Sequence, residues 1–275
     1  MKKYIHIISA TLSILLSCKK TDTTLTQASQ VTCQLTTISS NFAGSNTNAT
    51  YEYNKDGKLI GIKNYLSNIL QNTSTLDEYN IQSSYTSSAG FPMVQTIVYE
   101  GGSIFSDQLP TKASVAMQEG LITHTDVFTY YFYYDNKSRL TKVSEETINV
   151  VGDWEYDVEI VYNDQDNVTA MKYTWTTGPN TSTTIPASGY DTKPSPYSGL
   201  RTWKYLVSWN NSDPTALFAQ LSKNNPLGFL DGDWTRTMTY TYNEHGYPLT
   251  RTNVQTNKNT VGSATWVETF GYHCP

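Results

Sequence analysis

The chain has 275 residues, 38% of them hydrophobic, with 21 Tyr, 6 Trp and a formal net charge of −5 at a pI near 5.4. This length accommodates one all-β domain or two, and the aromatic surplus over charged residues favours strands, where Tyr and Trp pack on a half-buried pleat. Nucleic acid is argued against as a partner, because phosphate binding needs clustered Lys and Arg and no basic stripe occurs.

Lys2 and Lys3 precede an apolar run, IHIISATLSILLS, that is too short for a membrane span, so residues 1–17 read as a signal peptide. The run ends in Leu15-Leu16-Ser17-Cys18, which resembles the bacterial lipobox. The resemblance implies that Cys18 becomes the acylated first residue of the mature chain. Several acyl chains hold stably to a bilayer, each buried methylene contributing about 0.8 kcal/mol, so the membrane is an expected partner through this anchor. Residues 18–30 continue in polar sequence without periodicity and read as a tether. Lys19, where an aspartate would favour the inner membrane by lipoprotein sorting rules, implies an outer-membrane lipoprotein facing the periplasm or the cell surface.

Residues 31–275 are expected to form a single domain of β-hairpins. Cys33 and Cys274 stand at its two ends in a chain addressed to a disulfide-permissive compartment, and they are expected to pair; two unpaired thiols are the other reading. Pairing would bring the first and last strands together.

The string YEYNKDGKLIGI at residues 51–62 alternates aromatic and polar residues, breaks at Asn-x-x-Gly, then resumes as a strand. Similar strings begin at Tyr133, Val161 and Thr241. Each predicts a hairpin in which Gly57 or Gly246 supplies a positive φ, while Ser138 and Asp166 occupy that position in the other two. A longer repeat (strand, Tyr-Asn or Tyr-Asp turn, strand, Val-Gly turn, Trp-bearing strand) covers the regions from Tyr134 and Tyr242, with a degenerate copy from Tyr53.

Further along, VFTYYFYYD carries aromatics on both faces, as in a strand buried on two sides or presenting a binding surface. In GDWEYDVEIVY, Trp154, Tyr156, Val158, Ile160 and Tyr162 alternate with Asp153, Glu155, Asp157 and Glu159, a half-buried strand with a solvated acidic face. YEGGSIF, from Tyr99, reads as a tight hairpin, and TTIPASGYDTKPSPYSGL as a long loop. Next, Asp213 as N-cap, Pro214, the apolar Leu217, Phe218 and Leu221, and Pro226 as a stop predict one short helix. The expected fold is all-β: an antiparallel meander of successive hairpins forming one strongly curved sheet or a closed or partly closed β-barrel, with that helix capping one end.

At the Tyr-Asn and Tyr-Asp strings the chain resembles the YD-repeat hairpins of Rhs-type proteins. It more closely resembles a family of bacterial lipoproteins of unknown activity whose domain is described as porin-like, including at DTKPSPYSGL and LSKNNPLG. The resemblance implies a fold and an envelope address, and no catalytic residue. Asp, Glu and Thr opposite the aromatics predict a water-facing barrel rather than one lined outside by lipid.

His124, His245 and His273 occur singly, so no metal or other cofactor is expected. No Gly-x-Ser-x-Gly elbow or phosphate-cradling loop is present in the sequence. Tyr173, Trp175, Trp203, Tyr205 and Trp209 flank the Pro-rich segment and could stack on sugar rings, with core packing as their alternative role. The expected function is a non-enzymatic binding or scaffold module of the envelope, with a glycan or an envelope protein as partner. A glycan-acting hydrolase and a structural partner of an outer-membrane complex are the alternatives.

Overall fold

The computed structural model describes residues 33–86, 92–105, 107–119, 122–147, 154–176, 181–198 and 214–274, all within the unit Val31–Pro275. Among them the chain forms β1 (Gln34–Ser40), β2 (Thr47–Tyr53), β3 (Leu59–Leu66), β4 (Ile69–Leu76), β5 (Asn80–Thr86), β6 (Pro92–Glu100), β7 (Lys112–Glu119) and β8 (Ile122–Tyr134). There follow β9 (Leu140–Thr147), β10 (Trp154–Tyr162), β11 (Val168–Trp175), β12 (Ser182–Pro194), helix α1 (Pro214–Leu221), β13 (Asn224–Asp231), β14 (Trp234–Tyr242), β15 (Pro248–Asn257) and β16 (Ser263–His273). Each strand pairs antiparallel with its neighbours in the chain, and β16 pairs with β1, so the meander closes into a barrel. Cys33 and Cys274 form a disulfide just outside this seam, their Cα atoms 4.3 Å apart.

The four hairpin strings share one turn. Asn54, Asp135, Asn163 and Asn243 each accept two backbone N–H groups on one side-chain oxygen, from the residues two and four positions on, at 2.9–3.0 Å. The fourth turn residue has positive φ: 76° at Gly57, 61° at Ser138, 62° at Asp166 and 83° at Gly246. Thus the two non-glycine copies adopt the same left-handed conformation, and each pairing carries the one-residue register shift that a glycine-type bulge imposes.

The tyrosine before each turn has a task that pattern reading missed. At this end of the barrel a turn joins the two strands of a hairpin, whereas adjacent hairpins meet without a covalent link. Phenol hydroxyls bridge those junctions: Tyr53 donates to the Leu35 carbonyl at 2.7 Å, Tyr134 to Pro110 at 2.7 Å, Tyr162 to Leu140 at 3.0 Å and Tyr190 to Val168 at 2.6 Å. At the β13–β14 junction Tyr240 does the same to Pro226 at 2.7 Å. Burial pushes the Tyr53, Tyr162, Tyr190 and Tyr240 phenols up, keeping them neutral donors.

The period-two pattern sends apolar groups inward. Leu59, Val115, Val143, Val158, Val168 and Met171 are each at most 1% exposed and belong to one continuous core. A circular barrel of sixteen strands has room for an aqueous channel; here side chains and α1 occupy the interior. Leu217 and Phe218 join the main core, Phe218 stacking on Phe229 at 5.7 Å, while Ala219 packs with Leu35, Tyr197 and Phe270. The outer face carries cross-strand ion pairs, including Glu52–Lys63 at 2.5 Å, Lys142–Asp157 at 2.9 Å and Lys172–Glu159 at 3.4 Å. The acidic side of β10 is solvated as expected.

Four expectations are corrected. The Pro-rich segment is mostly strand: β12 runs through Pro186 and Pro194, and three register shifts against β13 absorb the missing donors and the irregular backbone. Pro226 does not stop the helix but lies in β13; α1 ends at Leu221, where the Ser222 hydroxyl accepts the Val168 N–H at 3.0 Å. Tyr99–Phe105 is no tight hairpin, because the link between β6 and β7 extends to residue 111 and sinks Ile104, 1% exposed, into the core. Finally, of the two readings of β8, burial on both sides is overturned: Tyr130 and Phe132 are buried, whereas Tyr133 is 48% exposed. Asp213 lies outside the described residues.

Replacing Cys33 and Cys274 by Ser should lower unfolding free energy by up to about 5 kcal/mol, the chain-entropy value for so long a loop, as measured by denaturant titration. Tyr53→Phe, which removes one hydroxyl and leaves the Leu35 carbonyl without it, should cost about 0.5–1.5 kcal/mol in the same assay.

Candidate functional site

One Tyr-Asp string does not close. Tyr190-Asp191 begins as the others do, Asp191 accepting the Lys193 N–H at 2.9 Å. Instead of returning at once, the chain leaves for residues 195–223 and re-enters through a backbone bond from Ser195 N–H to the Lys223 carbonyl at 2.9 Å. Asp191 also accepts from the Asn225 backbone at 3.2 Å and from the Tyr242 hydroxyl, which holds the re-entry point in place. The inserted segment carries Tyr197, 6% exposed, and α1. The buried Ser195 hydroxyl donates to the Ala219 carbonyl at 2.5 Å, tying the two ends of the insertion together.

Between this insertion and the turns at 135–139 and 163–167 lies a cleft of about 490 Å³. Its apolar lining includes Leu140, Tyr162, Tyr197 and Leu221; its polar lining includes Lys137, Arg139, Asp166, Gln220 and Lys223. Arg139 is fixed: Nε donates to Asp135 at 2.7 Å, Nη1 to Asp166 at 2.8 Å, and the guanidinium lies 4.7 Å from the Tyr162 ring centre. The Asp135 side-chain bond chiefly raises the Arg139 pKa. Burial works to raise Asp135, but hydrogen bonds from the Arg139 and Lys137 backbones and the Arg139 side chain hold its carboxyl below the usual value. Burial pushes the Tyr197 phenol up to about 12. The Gln220 Oε1 is buried without a hydrogen-bond partner among the described residues.

Of the aromatic candidates, the two described ones, Tyr173 and Trp175, do not line this cleft. Tyr173 and Trp175 sit near the far end of β11 from the cleft; Tyr173 packs against the core, whereas Trp175, 36% exposed, lies 5.3 Å from the Tyr156 ring. Trp203, Tyr205 and Trp209 lie outside the described residues, as does the lipidation candidate Cys18. Beside Trp175, Tyr156, Glu145 and Tyr130 form one register row across β10, β9 and β8, with Glu145 only 3% exposed.

A second interior polar group lies near the seam. Arg251, 4% exposed, donates through Nε and Nη2 to Glu268 at 2.5 and 2.9 Å, and Asn253 donates to the same carboxylate at 2.7 Å. In such a desolvated pair, removing one partner strands a buried charge. His245 does meet sulfur: one of its ring nitrogens and the sulfurs of Cys33 and Cys274 lie within 4.8 Å of one another. The disulfide leaves no thiolate there to ligate a metal.

The fold is similar to that of a porin-like protein from Bacteroides uniformis ATCC 8492, at 16% identity, TM-score 0.54, and coverage of 88% of this chain and 99% of that one. It is also similar to a porin-like protein from Bacteroides vulgatus ATCC 8482, at 10% identity and TM-score 0.50, over 88% and 99% of the two chains. No family profile matches the sequence, and no curated protein matches it. These likenesses show the fold: an all-β closed barrel shared with porin-like proteins.

The Asp135 turn carries a pH signature that the asparagine turns lack. Its folded pKa is lowered, so its contribution is fully present above the unfolded carboxyl value of about 3.9 and is lost as pH falls through the folded value. The stability difference between the parent and Asp135→Asn should therefore be constant above about pH 5 and change towards lower pH, as read by denaturant titration.

Proposed function

We propose that the chain is a lipid-anchored, non-enzymatic binding module of the cell envelope that takes a glycan ligand in the cleft beside α1. The observation that carries this reading is the cleft itself. A ligand-sized space occurs where a long insertion interrupts an otherwise repeated turn, and sites commonly occupy such insertions on repeated scaffolds.

The lipobox-like Leu15–Cys18 supports an acyl anchor, and Lys19 supports an outer-membrane address. Structural neighbours described as porin-like are in keeping with an envelope setting. The packed interior supports binding over conduction, and ion pairs on the outer strand face support a barrel standing in water beside the membrane. Retaining or inverting hydrolysis needs two carboxyl groups facing each other across the substrate; among the described residues of the cleft lining, Asp166 is the one carboxylate and it is engaged by Arg139.

Mass spectrometry of the full-length protein expressed in a lipoprotein-processing bacterium should show an acylated Cys18 as the mature N-terminus. A chain retaining residues 1–17 would contradict the anchor. Applied in detergent to a glycan array, the same protein should retain a restricted set of saccharides; retention of none would contradict the binding role.

A further inference from the structure

Resting on the reading of this cleft as a binding site, we infer that its ligand is an acidic saccharide, a sugar bearing a carboxylate or phosphate group. Among the described residues the lining holds three cations, Lys137, Arg139 and Lys223, against one carboxylate, Asp166, with Asp135 paired to Arg139 beside it, in a chain whose net charge is −5. Asp166 is already engaged, by Arg139 at 2.8 Å and Lys137 at 3.6 Å, so it does little to repel an anion.

Arg139 is set in place before any ligand arrives. Asp135, Asp166 and the Asn163 carbonyl take up its Nε and Nη1, and Tyr162 lies against its plane. Its Nη2 has no acceptor among the described residues, which leaves two N–H donors for an oxyanion. The Lys223 ammonium likewise makes no ion pair among the described residues and lines the same space. Holding a guanidinium in advance lowers the ordering cost of binding.

The remaining lining suits the rest of a sugar. Ser138 and Ser198 offer hydroxyls and Gln220 an amide oxygen without a partner among the described residues, while the half-buried Tyr162 and Leu221 offer apolar surface to sugar C–H groups. A volume of about 490 Å³ falls within the range of small-molecule sites.

The test is isothermal titration calorimetry on the full mature chain in neutral detergent. The probes are a glucuronic acid-containing disaccharide, the corresponding glucose disaccharide, and glucose 6-phosphate. At least one acidic probe should bind about tenfold or more tightly than the neutral one, the size of one charge-assisted hydrogen bond, and its affinity should fall with added salt. Comparing the two acidic probes identifies which anion is preferred. The double variant Lys137→Gln, Lys223→Gln, checked for fold by near-UV circular dichroism, should lose about tenfold for the acidic probe and little for the neutral one.

Equal binding of neutral and acidic probes, or an unchanged affinity in the double variant, would overturn the acidic assignment and leave the binding role standing. If the glycan array retains neutral saccharides and neither acidic probe binds, the acidic assignment falls alone. Failure of every saccharide, on the array and in solution, would overturn both.

Discussion

Pairing of β1 with β16 turns a long meander into a ring, and the rest of the architecture depends on it. An open sheet of this length would expose two edges of unpaired N–H and C=O groups. Several features converge on the seam. The Cys33–Cys274 disulfide closes a separation of 241 residues beside it. Gly271 faces Thr37, where any side chain on the glycine would collide with the threonine. One strand pair away, the buried Arg251–Glu268 pair ties β15 to β16. A covalent link, a close approach and a desolvated ion pair thus all act where two distant parts of the chain must find one register.

Away from the seam, order comes from repetition. An Asx side chain nucleates each turn, a residue in the left-handed region completes it, and a tyrosine reaches sideways to the next hairpin. The turn is local and the phenol bridge is not, so together they set both the hairpin and its neighbour. The candidate site exists because one unit departs from this scheme. At Asp191 the side-chain part of the turn survives, but the backbone opens and returns with a helix whose apolar residues enter the barrel. Two ordinary turns supply the opposite wall, and one of them bears the Asp rather than Asn that fixes Arg139.

Much of this was legible in the residues. Alternation in β10, the turn strings, the short helix over Leu217, Phe218 and Leu221, and the paired end cysteines all rest on short-range rules or on position in the chain. What escaped depends on context. Pro186 and Pro194 argue locally for a loop, and only irregular pairing with β13 makes a strand there tolerable. Ile104 sits in a Gly-rich stretch with no period to reveal its burial. The cleft could not be foreseen because Lys137, Arg139, Asp166 and Lys223 come from three separate stretches; the one available signal was that LSKNNPLG returns the chain to the turn end. The tyrosines were read for their rings, whereas their hydroxyls make the long-range contacts.

The barrel inverts the arrangement of a channel-forming one, with apolar groups and the buried Arg251–Glu268 pair packed inside and cross-strand ion pairs outside. That arrangement requires a closed ring, since an unpaired β1 would lift Leu35 and its neighbours out of the core. Backbone hydrogen exchange resolved along β1 tests this most directly. Amides of Thr37–Ser40, paired to β2 on one side and β16 on the other, should exchange as slowly as those of β14 and β15. Fast exchange in β1 and β16 with slow exchange elsewhere would show an open sheet and contradict closure.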